Sequence, residues 1–316
     1  MITLEKTTNT PKVLGRLAPT PSGFLHLGNI LSFMVAYIYA HQNNGDMVFR
    51  MEDLDPARSK QVFCDAIVRD LEWLGFTWET PILYQSSRTE AYTEAFEALA
   101  RRNVIYPCFC SRADIHAASA PHRGEEVIYP GMCRNLTEAE RQNKRRTKQP
   151  SYRIQVTDEP IDFFDIFQGQ QLCTLPEICG DFIVRRADGV YAYQLASVVD
   201  DNEMGVTNII RGIDLLTSTP RQWYLQDLLG WPHPTYGHIP LLVDENGHRL
   251  SKRAGDISIQ SIREDGVYTA KDVLGSLAFT SGIIEEDAPY TLDELVQHAH
   301  LSKLQGKKQL ALRTLE

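Results

Sequence analysis

The sequence predicts an α/β fold split by an insertion and followed by a small helical C-terminal region. Three observations predict it. The apolar run Val13–Leu17 reads as a strand, Pro19, Pro21 and Gly23 break regular structure after it, and the apolar run Ile30–His41 is long enough for a helix. The texture then changes from Tyr106 to about Arg186, where closely spaced cysteines and a basic run appear, and strand-and-helix patterning resumes beyond it. Helical patterns return at Thr269–Phe279 and Thr291–Ala299. At 316 residues the chain exceeds the size at which one core usually keeps growing, so a main domain with smaller additions is expected.

The first strand–loop–helix unit places chemistry at the helix start. Unpaired backbone N–H groups and a partial positive charge at a helix N-terminus attract phosphate. His26 stands beside that terminus as a further donor, and Gly28 allows close approach to the backbone. Met47–Met51 reads as a second strand, and Glu52, Asp53, Asp55 and Arg58 crowd its end. In open α/β sheets ligands bind at the carboxyl ends of strands, so Glu52 is expected to face the site. Asp55 before Pro56 fits a helix start. Val62, Phe63, Ala66, Ile67, Leu71 and Leu74 recur at helical spacing with Gly75 as a stop, and a second amphipathic helix is expected at Thr89–Arg102.

In the insertion, Cys108, Cys110 and Cys133 suggest a zinc site, whose fourth donor is one of His116, His122 and Tyr129. Cys64, Cys173 and Cys179 are unclustered and read as ordinary thiols. Arg141–Lys148 is the one strongly basic run, a solvated loop or a phosphate-backbone contact. Strands are expected at Ser151–Val156 and Asp181–Arg186. The stretch Tyr191–Asp201 begins with the aromatics Tyr191 and Tyr193 and ends in Asp200 and Asp201. Val206–Ile210 follows as a strand ending at Arg211-Gly212, and Pro220–Leu229 as a helix stopped by Gly230. Arginine suits bidentate capture of a carboxylate. Gly247–Asp256 is a glycine-flanked basic loop, and its Lys252 is a mobile point charge suited to polyphosphate.

Composition excludes several classes. A net charge of −9 argues against bulk non-specific nucleic-acid binding while leaving room for a local basic face. Met1–Lys12 lacks the apolar core of a signal peptide, and Ile30–Ala40, the longest nearly apolar run, falls short of the ~20 residues that span a bilayer. A cytoplasmic protein without a disulfide framework is therefore expected.

These motifs resemble those of the class I aminoacyl-tRNA synthetases. His26-Leu27-Gly28-Asn29 is similar to the first signature of that class, and Arg249-Leu250-Ser251-Lys252-Arg253 to its second, KMSKS. The flanks Arg16–Gly23, Arg50–Asp55 and Arg58-Ser59 resemble the glutamyl branch. Asn29 and Arg249 depart from the usual letters, but His26 and Lys252 are kept. Only about 60 residues follow the second signature, too few for the anticodon-binding region of a full glutamyl enzyme. Cys108, Cys110, Tyr129 and Cys133 match the zinc pattern of the short glutamyl-Q paralogues, which promotes Tyr129 over the histidines.

The resemblance implies a Rossmann-like class I synthetase catalytic domain: residues 1–105 and 187–245 as its halves, 106–186 as a zinc-binding insertion, and 246–316 as the KMSKS-like loop and helical tail, with no anticodon-binding domain. It implies ATP-dependent, tRNA-independent activation of L-glutamate and transfer of the glutamyl group to the queuosine base in the anticodon of tRNA(Asp). His26 and Lys252 would be catalytic. His26, Gly28, Asn29 and Lys252 would bind ATP, with Mg²⁺. Arg16, Leu17, Ala18, Pro19, Thr20, Glu52, Tyr193 and Arg211 would bind glutamate, and one structural Zn²⁺ would sit on the four insertion donors. A monomer is expected. The rivals are a shortened glutamyl-tRNA synthetase charging tRNA(Glu), a small-molecule nucleotidyltransferase, and a non-catalytic RNA- or nucleotide-binding protein.

Overall fold

The computed structural model describes residues 12–79, 81–119, 128–244 and 258–311, with backbone alone for 116–119. Residues 1–11, His122, the side chain of His116 and the loop bearing Arg249 and Lys252 lie outside that description.

Strand β1 (Leu14–Leu17) leads through the proline-rich loop into α1 (Leu27–Gln42), then β2 (Asp46–Met51) and α2 (Gln61–Trp73). β1 and β2 run parallel, Leu14 opposite Asp46 and Leu17 opposite Phe49, and β2 continues parallel to β3 (Leu83–Tyr84). α1 begins three residues before its apolar run because His26 adopts the extended N-cap conformation, its own N–H held by Asn29 Oδ1 at 3.2 Å. Ile30, Leu31, Met34, Val35 and Ile38 are fully buried, so α1 is the central core helix. α2 ends at Leu74 and Gly75 at φ +85°, as the sequence predicts. Asp55 does not start a helix. It closes a turn instead, its carboxylate accepting from Ala57 N–H at 3.1 Å, because apolar periodicity begins only at Val62 and Phe63.

α3 (Thr89–Arg101) precedes β4 (Ile105–Cys108), α4 (Arg112–Ser119), α5 (Glu138–Arg145), β5 (Ser151–Ile154), β6 (Ile161–Asp165), β7 (Gly169–Cys173), α6 (Leu175–Ile178) and β8 (Phe182–Arg185). The basic run is therefore not a loop. Most of it lies in α5, because Thr137 and Glu140 form a reciprocal cap that holds an otherwise exposed, core-free helix. Nor is 106–186 one layer. β4, β5 and β8 form an antiparallel sheet, whereas β6 joins the main domain and pairs with β7.

Beyond it come α7 (Tyr193–Glu203), β9 (Asn208–Gly212), α8 (Thr219–Leu229), β10 (Thr235–Ile239) and β11 (Leu241–Val243). β10 runs parallel to β9 on one side and to β6 on the other. β9 lies against β1 through Thr207, whose N–H donates to Leu14 O at 3.0 Å and whose Oγ1 accepts from Leu14 N–H at 2.8 Å. The strand order thus reverses between β1 and β9, the place where open parallel sheets form their ligand crevice. α9 (Ile259–Asp265), α10 (Ala270–Ser281), α11 (Leu292–His298) and β12 (Gln309–Ala311) complete the described chain. The two helices expected in the tail are α10 and α11, each capped by a threonine. Among the described residues no helix is long and apolar enough to cross a membrane.

Candidate functional site

A cleft of about 430 Å³ opens at the switch point between β1 and β9. Arg16, Ala18, Pro19, Thr20, His26, Gly28, Asn29, Glu52, Tyr193 and Arg211 all line it. Leu17 is the exception among the expected glutamate residues, because strand alternation turns its side chain into the main core, where it is fully buried. Gly28 also has a steric reason. A Cβ there would sit 3.1 Å from Cε1 and 3.2 Å from Nδ1 of His26, so its bareness gives the His26 ring its room.

The loop carrying His26 is joined to the chain just past Lys252. Ile259 N–H donates to Leu25 O at 2.9 Å, and His26 forms a β-bridge with Ser258. Lys252 itself lies outside the described residues, yet six positions on the chain has met the first signature.

One wall of the cleft is a buried ion cluster. Asp201 accepts from Arg16 Nε and Arg50 Nη1, both at 2.7 Å, and Arg50 Nη2 donates to Glu52 at 3.0 Å. Asp200 lies 3.7 Å from Arg50 Nε and accepts from Gln85 and from the Tyr92 hydroxyl at 2.8 and 2.9 Å. Burial opposes ionisation of Asp201, but the Arg16 and Arg50 guanidinium groups outweigh it and hold the carboxyl below its usual value. Asp200 differs: burial dominates and pushes its carboxyl up despite Arg50. Arg50 is fully buried, and its three carboxylate neighbours raise its affinity for the proton although burial opposes them.

The opposite wall carries Arg211, 5% exposed. Its Nε donates to His238 Nε2 at 3.0 Å, and its Nη2 to Thr219 Oγ1 at 2.8 Å and Leu215 O at 3.3 Å. Among the described residues Nη1 reaches only the Tyr193 hydroxyl, at 3.4 Å. Among the described residues no carboxylate pairs with this guanidinium.

In the insertion the Cys108, Cys110 and Cys133 thiols lie within 4.8 Å of one another and could hold a metal ion. The Tyr129 hydroxyl lies 3.4 Å from Cys108 Sγ and 3.8 Å from Cys110 Sγ, and accepts from Cys133 N–H at 2.9 Å. Burial, then the contacts with Cys133 and Cys108, push the Cys110 thiol up to about 12, whereas at Cys108 burial is outweighed by the Tyr129 hydroxyl, a backbone hydrogen bond and Arg153, which hold that thiol below its usual value. Gly180 at φ +63° lets the chain pass Tyr129, since a Cβ there would stand 2.4 Å from Tyr129 O.

Sequence reasoning noticed Arg50 and the Asp200–Asp201 pair but not that they close on Arg16 across the sheet. It missed Asp165 and His238 altogether. Their signal is an ionisable side chain on the strand face that otherwise carries Ile161 and Phe163 in β6 and Tyr236 in β10.

The family model described as class I tRNA synthetases (E and Q), catalytic domain, matches residues 12–300. The chain is 44% identical to a glutamyl-Q tRNA(Asp) synthetase of Symbiobacterium thermophilum, over 92% of this chain and 93% of that protein. It is 45% identical to one of Geobacter sulfurreducens, over 81% of each. It also resembles the crystal structure of a glutamate tRNA ligase from Elizabethkingia meningosepticum in complex with its amino acid, at TM-score 0.80 and 25% identity, over 96% of this chain and 67% of that one.

Proposed function

This chain belongs to the family of class I tRNA synthetase (E and Q) catalytic domains, and from that premise we propose that it activates L-glutamate with ATP and transfers it to the Q base of tRNA(Asp). The observation that carries the substrate is Arg211: a buried guanidinium without a carboxylate partner among the described residues, sharing one cleft with Arg16 and Glu52. A buried charge needs a partner, and a dicarboxylic amino acid supplies it.

Activation joins the glutamate α-carboxylate to the α-phosphorus of ATP and releases pyrophosphate. The substrate is the nucleophile, so the protein positions groups and stabilises charge. Arg16 and Arg211 grip the two carboxylates and Glu52 takes the ammonium, with Tyr193 adding a hydroxyl. Thr20, Ala18 and Pro19 line the amino-acid end. His26, Gly28, Asn29 and the start of α1 serve the triphosphate, and Lys252 neutralises the departing pyrophosphate. Mg²⁺ accompanying ATP shares that charge. Glutamine is rejected because its amide leaves a guanidinium unpaired.

The divisions 1–105, 106–186, 187–245 and 246–316 remain our reading of the chain's organisation, with the amendment that β6 and β7 belong with the main sheet. Cys108, Cys110, Tyr129 and Cys133 would hold one Zn²⁺, which supplies structural cross-linking there. Elemental analysis should find about one zinc per chain, and Cys110→Ser should lose it.

The direct test is incubation with labelled glutamate, ATP and tRNA(Asp), with and without queuosine. Label should appear only on queuosine-containing tRNA(Asp). Label on the 3′ end of tRNA(Glu) would favour the shortened glutamyl-tRNA synthetase instead.

A further inference from the structure

We propose that Asp165 and His238 are positioning residues for substrate recognition: together they fix which edge of Arg211 faces the cleft, and so tune its grip on a glutamate carboxylate. The proposal rests on Arg211 binding that carboxylate.

The geometry fixes the proton positions. Arg211 Nε carries a hydrogen and can only donate, so His238 Nε2, 3.0 Å away, must accept. The imidazole proton therefore sits on Nδ1, which donates to Asp165 Oδ2 at 2.5 Å. Asp165 is itself held rigidly, its Oδ1 accepting from the backbone N–H groups of Phe167, Gln168 and His238 at 3.0, 2.9 and 3.0 Å. The chain from β6 through β10 to β9 is fully buried at Asp165 and His238. With Nε on His238 and Nη2 on Thr219 and Leu215, the Nη1 end of Arg211, beside the Tyr193 hydroxyl, is the one left for a ligand among the described residues.

The arrangement also keeps a second cation away from Arg211. Burial, assisted by Arg211, lowers the His238 value, although Asp165 opposes this, so the ring stays neutral above the ordinary histidine range. The ionisable groups facing it are Asp165 on β6, Arg211 on β9 and Asp214 in the turn after β9, while Thr219 at the head of α8 and the stacked Tyr236 ring enclose it. When His238 takes a second proton, Nε2 becomes a donor, the bond to Arg211 is lost and two cations face each other.

Two substitutions separate this role from mere packing. In Asp165→Asn the three backbone donors hold the amide oxygen at the Oδ1 position, so the NH₂ group faces Nδ1. That forces the imidazole proton onto Nε2 and against Arg211 without changing volume. His238→Gln keeps an acceptor near Arg211 but cannot titrate. Glutamate KM is measured by ATP–pyrophosphate exchange on the full chain, from neutral pH to below about 6.5, with Arg211→Ala as reference and thermal unfolding alongside.

Asp165→Asn should raise glutamate KM about 10- to 100-fold, with kcat changed less and ATP KM unmoved. The wild-type glutamate KM should climb on the acid side, and His238→Gln should remove that climb at the expense of a few-fold rise at neutral pH. If Arg211→Ala loses glutamate affinity while both variants keep the wild-type KM and its pH profile, the positioning role is overturned. If Arg211→Ala itself leaves KM unchanged, the carboxylate assignment fails first. Should Asp165→Asn unfold, the pH profile of His238→Gln still decides.

Discussion

The two walls of the cleft treat their arginines oppositely. On the β1–β2 side, Arg16 and Arg50 share Asp201 and are neutralised by Asp200 and Glu52 before any ligand arrives. On the β9–β10 side, Arg211 leans on a neutral imidazole, a hydroxyl and a carbonyl. A paired buried cluster mainly specifies structure, and removing one partner leaves a buried charge behind. An unpaired buried cation is held ready for an anion that comes and goes. The contrast ties stability chiefly to the Arg50–Asp201 pair behind one wall, which holds Arg16 and Glu52 in place at the cleft, and leaves Arg211 on the other wall to be completed by the ligand.

Removing Arg211, which has no carboxylate partner among the described residues, should have the largest effect. Arg211→Ala should lower kcat/KM for glutamate by roughly 30- to 5,000-fold, a loss of about 2–5 kcal/mol of transition-state stabilisation, while the melting temperature moves little. An equal loss of melting temperature and activity would erase the distinction between the walls. On the other side, Asp201→Ala should destabilise the fold by about 3–5 kcal/mol, read by denaturant unfolding, because Arg16 and Arg50 lose their shared partner. If Asp201→Ala unfolded at the wild-type denaturant concentration, the stabilising role of this cluster would be refuted.

Acid should separate them by pH window. His238, with its lowered folded value, gives stability that is full above about 6.5 and is lost as pH falls through the folded value. Asp201, also lowered, gives stability that is full above about 3.9 and is lost only below that. The melting temperature should therefore fall in two steps, a first that accompanies the rise in glutamate KM as His238 titrates below about 6.5 and a second below about 3.9 with Asp201, and a melting temperature that stays flat while KM climbs would contradict this. The smallest effect belongs to the helix start the walls share: Gly28→Ala must shift the His26 ring by a few tenths of an ångström, for a few-fold rise in ATP KM and no change in glutamate KM.

Much of this was legible in the sequence because it is local. The strand-loop-helix at Leu14–Gln42, the glycine stops at Gly75 and Gly230, and the tail helices follow from neighbouring residues, and Arg16, Glu52 and Arg211 end strands where ligand contacts gather. What escaped depends on pairings across the sheet. Asp201 meets Arg16 at a separation of 185 residues, and His238 meets Asp165 at 73, distances over which periodicity carries no information. Leu17 was assigned to the ligand by its place in a motif, whereas strand alternation sends it to the core. Asp55 lost its expected helix because a favourable cap residue does not make one without apolar residues behind it.

The central claim is that a dicarboxylic amino acid completes the charge of this cleft. ATP–pyrophosphate exchange by the purified chain without tRNA, comparing glutamate with glutamine, tests it most directly. Exchange that depends on glutamate and is absent with glutamine is the expected result. Equal exchange with both, or none with glutamate, would contradict it.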